Sequence, residues 1–172
     1  MMRGVLLGAG GVLVLLVILQ PNPRVRIITT DSSAPPGLYW RSAGVPRRGA
    51  LVLACLAPQA AEFALQRGYL SGGACPAGAE PVAKIVGALP GDIVDIEPQW
   101  VAVNGARYPN SATADRDTAG RPLPHVPWGS RCVGAGEVWL FGFNDRRSWD
   151  ARYFDSTPLG NVLGNLEAIT TW

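Results

Sequence analysis

The sequence predicts a mostly β domain with one short helix, preceded by a single amino-terminal transmembrane helix. Three observations carry this. Glycine (21) and proline (15) are frequent among the 172 residues, which favours strands and turns over a helical bundle. Short apolar runs bounded by turn residues recur from residue 24 to the end of the chain, the pattern of many short strands. A stretch without charge or polar side chain, GVLLGAGGVLVLLVIL, fills residues 4–19.

That stretch bounds the domain organisation. Sixteen residues at a rise of ~1.5 Å span about 24 Å, slightly less than the ~30 Å hydrocarbon core. Gln20 and the residues up to Pro23 extend the crossing to the headgroups. A cleaved signal peptide would need a small-x-small site after the apolar run, and QPNPRVRI offers none. Residues 4–20 are therefore read as a retained membrane anchor and 24–172 as the folded domain. Arg3 on one side and Arg24 and Arg26 on the other leave the orientation open.

Within the domain, RVRIITT (24–30) is rich in β-formers and makes a first strand, broken by DSSAPPG. LYWRS resumes a strand before the turn at VPRRG. ALVLAC (50–55) is a short apolar run of buried-strand type. PQAAEFALQRG has apolar residues at helical spacing and ends on Gly68, a suitable residue just past a helix. WVAV, Asn104-Gly105 and ARY form a hairpin, because Asn-Gly suits a type I′ turn. Residues 109–131, rich in Pro, Gly, Ser and Asp, form a long excursion. EVWLFGF is a further strand, and VLGNLEAITTW closes the sheet.

Composition excludes several functions. Net charge is +2, and no Lys/Arg cluster with interleaved aromatics marks a nucleic-acid partner. The three cysteines, Cys55, Cys75 and Cys132, fit no zinc spacing beside the single His125, so neither a metal nor another cofactor is expected. In an oxidising compartment one disulfide and one free thiol is the simplest arithmetic; three buried reduced thiols is the alternative. Cys55 leaves a strand and Cys75 follows the helix and a Gly-rich loop, which allows a Cys55–Cys75 bridge with Cys132 free.

Three segments hold residues suited to chemistry. In Ser32-Ser33-Ala34-Pro35-Pro36-Gly37, Ser33 sits on a backbone stiffened by two prolines. Alone this is a common turn. Lys84 heads the apolar run KIVGALPGD; burial there would lower its pKa from ~10.4 and let it act as a base. The plain alternative is a lysine that snorkels from a strand edge. In SWDARYF, Asp150 and Arg152 lie two apart, so a strand would place them on one face as a pair, or as a surface ion pair worth ~0–1 kcal/mol. His125 in PLPHVPWG leaves a Ser-His-Asp triad open but without other support, and a Ser–Lys arrangement is the expected form of a serine hydrolase here.

In order and spacing the three segments resemble bacterial type I signal peptidases, and more narrowly the conjugative-transfer (TraF-type) signal peptidases. Ser33-Ala34-Pro35-Pro36-Gly37-Leu38-Tyr39 is similar to their S-x-P-x-G-x-Y motif; KIVGALPGD is similar to the lysine box, with Asp92 eight residues after Lys84; SWDARYF is similar to S-x-D-S-R-Y-F. The resemblance implies a signal-peptidase-like β fold with its site near the membrane surface. It implies Ser33 as nucleophile, Lys84 as general base, Ser148 orienting the lysine, and Asp150 and Arg152 as supports. Ala151 and Asp155 replace the Ser and Gly of the longer form S-x-D-S-R-Y-F-G, and Gly142-Phe143-Asn144 stands where housekeeping enzymes have G-D-N. Housekeeping enzymes also use a serine two before the nucleophile; here that residue is Asp31, which would repel an oxyanion. The Ser33 backbone N–H with a hydroxyl of Ser32 or Thr30 is expected instead. The segment around Cys55 and Cys75 also looks like the conjugative subfamily.

The implied function is cleavage of export signals from a pilin-like precursor with small residues first and third before the cut. It would take place at the lipid surface, on the periplasmic side of a bacterial inner membrane. The rivals are a housekeeping signal peptidase of broad specificity and a non-catalytic, anchored component of a secretion apparatus.

Overall fold

The structure, a computed structural model, describes residues 22, 24–28, 34–142 and 144–172. The expected anchor (4–20) and the expected site residues Thr30, Ser32 and Ser33 lie outside them. Among the described residues no helix is long and apolar enough to cross a membrane.

Among the described residues two antiparallel sheets make the fold. The larger takes β1 (Val25–Ile28), β2 (Gly37–Ser42), β3 (Leu51–Ala54), β4 (Val82–Ala88), β9 (Glu137–Phe141), β10 (Thr157–Pro158) and β11 (Val162–Thr171), in the order β1-β2-β11-β3-β4-β9-β10. The smaller takes β5 (Ile93–Glu97), β6 (Trp100–Val103), β7 (Ala106–Arg107) and β8 (Gly129–Cys132), in the order β7-β6-β5-β8. The mostly β expectation agrees with this architecture.

The alternation of side chains in β9 explains how the sheets meet. Trp139 and Phe141 join Val94, Ile96, Val101 and Val103 of the small sheet in one core cluster. Val138 and Leu140, on the opposite face, join Val52 and Val86 of the large sheet in another. A strand apolar on both faces is buried on both faces, because successive side chains point opposite ways.

Local signals account for several elements. Asn104 (φ 50°) and Gly105 (φ 80°) both occupy the left-handed region that a type I′ hairpin requires between β6 and β7. Helix α1 (Pro58–Arg67) opens on proline and closes on Gly68 at φ 72°, whose N–H bonds the Leu65 carbonyl. Cys55, just past β3, is joined to Cys75 by a disulfide that closes α1 and its following loop into one unit; Cys132 is a free, exposed thiol.

Two expectations are corrected. The excursion ends at residue 128, because Gly129–Cys132 pair with β5 as β8. The segment around Asp150 is no strand: Asp150 caps a helical turn, α2 (Ala151–Phe154), its carboxylate accepting from the Arg152 N–H. A short acceptor side chain at the start of such a turn satisfies an otherwise orphaned N–H. The chain therefore has the four-residue α2 beside α1. The Asp150–Arg152 pair expected from the two-residue spacing is present and wholly buried, with both side chains at 0% exposure.

Candidate functional site

The site grows from an exception in the pattern of β4. Val82, Lys84 and Val86 follow one another on the buried face of this strand. Lys84 thus takes a place where an apolar side chain would ordinarily sit, and it is 5% exposed. Its Nζ donates to Ser148 Oγ at 2.6 Å. Burial pushes its pKa down from 10.5 to about 8; Asp150 opposes that shift, Arg152 adds to it and Asp145 opposes it. Desolvation wins because charging a buried amine costs more than a partly committed carboxylate returns.

Asp150 is committed elsewhere. Its two carboxylate oxygens receive Nε and Nη2 of Arg152 at 2.8 Å each, and one also accepts the Gly142 N–H at 3.0 Å. The fork geometry neutralises the acid in place. Arg152 spends its other protons on backbone carbonyls of Ala112 (2.6 Å), Arg146 (3.2 Å) and Ser148 (3.1 Å). One guanidinium therefore ties the excursion to the loop that carries Ser148.

The residues after position 33 are held just as firmly. Ala34 is buried with Tyr39, Leu53 and Leu166, and Ile28 and Ala83, the latter adjacent to Lys84, pack on that cluster. The Tyr39 hydroxyl donates to the Pro35 carbonyl at 2.7 Å. A Cβ on Gly37 would lie 2.3 Å from the Thr170 carbonyl oxygen, so β11 leaves room only for glycine. The Gly and Tyr of S-x-P-x-G-x-Y thus have physical tasks.

Lys84 and Ser148 open on a cavity of about 1060 Å³ that also reaches Ile28, Leu53, Tyr69, Asp117 and Trp149. Asp117 clasps two of its walls. It accepts from the Tyr69 hydroxyl at 2.6 Å and pairs with Arg67 (3.3 Å) and Arg121 (2.7 Å). Asp92 of the PGD turn serves the fold: it accepts from Leu89 N–H and Asn104 Nδ2 and pairs with Arg48 at the junction of the two sheets. His125 stands apart, stacked on Trp128 with its ring bonded to the Val126 carbonyl. No group of potential metal ligands occurs among the described residues.

Of the expected residues, the structure brings together Lys84, Ser148, Asp150 and Arg152. The sequence reading passed over one signal: of 15 lysines and arginines, Lys84 is the only lysine. Arginine stays protonated in proteins, so a chain that uses arginine at its other basic positions, His125 aside, has its single titratable side-chain amine at this buried site. It also passed over Asp145 and Trp149, which only the fold carries to the cavity.

Residues 13–172 match the family described as signal peptidase, peptidase S26. The chain belongs to that family. Among curated relatives, this signal peptidase is 37% identical over 147 residues to a plasmid transfer protein TraF of Escherichia coli, covering 84% of this chain and 82% of the relative. It is 36% identical over 150 residues to a probable conjugal transfer protein TraF of Sinorhizobium fredii, covering 84% and 77%. Among solved structures, a signal peptidase I of Enterococcus faecalis V583 aligns with a TM-score of 0.43 at 19% identity, over 73% of this chain and 100% of that one. The family-level resemblance read from the three motifs is thereby shown.

Proposed function

We propose that this S26 family member is a Ser–Lys endopeptidase that cuts the export signal from a pilin precursor of a conjugation or type IV secretion system. One observation carries the chemistry: the only lysine is buried, hydrogen-bonded to a serine hydroxyl and open to a cavity, with a pKa near 8. An amine in that state is neutral often enough near pH 8 to take a proton from a hydroxyl.

In this reading Lys84 accepts the proton of Ser33, whose hydroxyl attacks the scissile carbonyl. The amide breaks, its nitrogen leaves with a proton from the lysine, and an acyl-enzyme remains. Water or an amine of the same precursor then resolves it, giving a linear or a cyclic product. The Ser33 N–H, with Thr30 or Ser32, steadies the oxyanion. Support for Ser33 comes from its bond to Ala34, which packs in the cluster that also receives Ala83, the neighbour of Lys84. Ser148 orients the amine, and Asp150 and Arg152 hold Ser148. The conjugal-transfer names of the relatives support the pilin as substrate. The precursor lies extended along the cavity with small residues first and third before the cut. The apolar segment 4–20 anchors the chain in the inner membrane with the catalytic domain in the periplasm.

Ser33→Ala is expected to leave the fold intact, by thermal melt, and to abolish precursor cleavage, while Ser32→Ala keeps most of it. A dead Ser32→Ala beside an active Ser33→Ala would shift the nucleophile by one residue; activity in both would remove the serine mechanism.

A further inference from the structure

Lys84 and Ser148 lie 64 residues apart and belong to different supports, β4 and the loop before α2. One body touches both. The chain from Cys55 to Cys75 holds α1 and its loop, with its ends joined by the disulfide. Its apolar side, Leu56, Ala60 and Ala61, forms a cluster with Ala79 and Val82, and Trp149 packs against that cluster. Val82 precedes Lys84 by two residues on the same face of β4. Trp149 directly follows Ser148. Its indole is stacked between Phe63 of α1 (4.9 Å, 12°) and Tyr153 of α2 (5.3 Å, 15°), with Tyr69 tilted against it at 5.5 Å. These separations and angles are those of favourable aromatic packing. Ser148 itself is held through its backbone: its N–H donates to the Asp145 carbonyl and its carbonyl accepts from Arg152. The residue after it is held by the stack.

We propose that the disulfide-closed body is a positioning element of the site, which through Val82 and the Phe63–Trp149 stack keeps Lys84 Nζ and Ser148 Oγ in contact and keeps water from the amine. This rests on the Ser–Lys reading above, with Phe63 and Trp149 as positioning residues that touch no reacting atom. The charges that bear most on Lys84 are tied down independently of this body: Asp150 holds Arg152, and Asp145 holds Arg147. Two further acids of the cavity wall are bonded to the body itself, Glu80 accepting the Ser71 N–H and Asp117 accepting from Tyr69 and pairing with Arg67. The residue facing Lys84 across from β3, Val52, does not titrate. Loosening the stack therefore changes chiefly the solvation of the amine, and solvation is the largest cause of its lowered pKa.

Because Lys84 is the only lysine, ¹⁵N-lysine labelling of the full chain in detergent gives one side-chain titration without any substrate. The parent should titrate near 8. Phe63→Ala, Trp149→Ala and the paired variant Cys55→Ala with Cys75→Ala should each move the midpoint up by about one unit, cutting the neutral fraction at pH 7 about tenfold. The kcat for precursor cleavage at pH 7 should fall in step while KM stays within about twofold, and Trp149→Phe should restore most of both. If the paired cysteine variant does not fold, Phe63→Leu, which keeps apolar bulk without the stack, decides the matter by the same titration. Midpoints unchanged across the folded variants would overturn the proposal, whatever happens to cleavage. A chain whose midpoint moves as expected but never cleaves would instead overturn the Ser–Lys reading and leave the positioning role standing.

Discussion

At the scale of the residue, a cation in an apolar row both costs stability and supplies a base. At a pKa near 8, about one Lys84 in ten is neutral at pH 7, against about one in three thousand at 10.5. Cleavage should therefore rise with pH through about 8 and level off above it, read from initial rates on a precursor peptide. Lys84→Arg should be inactive across that range, because a guanidinium does not give up its proton. Stability follows the same proton. Below about pH 8 both folded and unfolded lysines are charged, so the native state bears the full cost of the buried cation. Between about 8 and 10.5 only the unfolded chain stays protonated, so stability rises with pH across that window. Lys84→Met removes the cost and should stabilise the fold at pH 7 by up to about 3 kcal/mol in urea unfolding. Asp150→Asn should act the other way. It leaves Arg152 charged, buried and half-partnered, which costs on the order of 3–5 kcal/mol.

At the scale of the element, close approach explains positions that no propensity would single out. The strand pair β2–β11 leaves no room for a Cβ at Gly37. Gly37→Ala must move one strand, at about 1–3 kcal/mol by analogy with overpacked cores. It should also slow cleavage, since the displaced segment leads back to Ser33 in four residues; a melt and a cleavage assay on one preparation check both effects. The hairpin at Asn104-Gly105 and the helix ended by Gly68 were legible because their signals are local: two positive-φ residues in one turn, one left-handed glycine after one amphipathic run. The helical turn in SWDARYF was not legible for the opposite reason. Asp150 and Arg152 share a face in a strand, but a capping carboxylate and a fork to the second residue of a short turn meet the same pairing, and only the surrounding fold selects the turn.

At the scale of the whole molecule, the disulfide spans a sequence separation of 20 and lies outside the strand ladders of both sheets. Reducing it should cost ~3 kcal/mol in the chain-entropy description, seen as a lower urea midpoint in the presence of reductant. A phosphatase joined after Trp172 should be active in the periplasm under the topology proposed above. A fusion active only in the cytoplasm would overturn that topology.

The mostly β class, the succession of the main strands along the chain, the short helix α1 and the motifs around Lys84 and Ser148 were available from the sequence alone. Each rests on local pattern: turn chemistry, side-chain period, and fixed spacing around Lys84 and Ser148. The burial of Lys84, its contact with a serine 64 residues away, the closed Asp150–Arg152 fork and the aromatic stack behind Ser148 were decided by tertiary structure. A lysine in an apolar run reads the same whether its strand lies at an edge or inside. Here β4 has β3 on one side and β9 on the other, and this enclosure, which depends on strands distant in sequence, removes the water that would otherwise keep the amine charged.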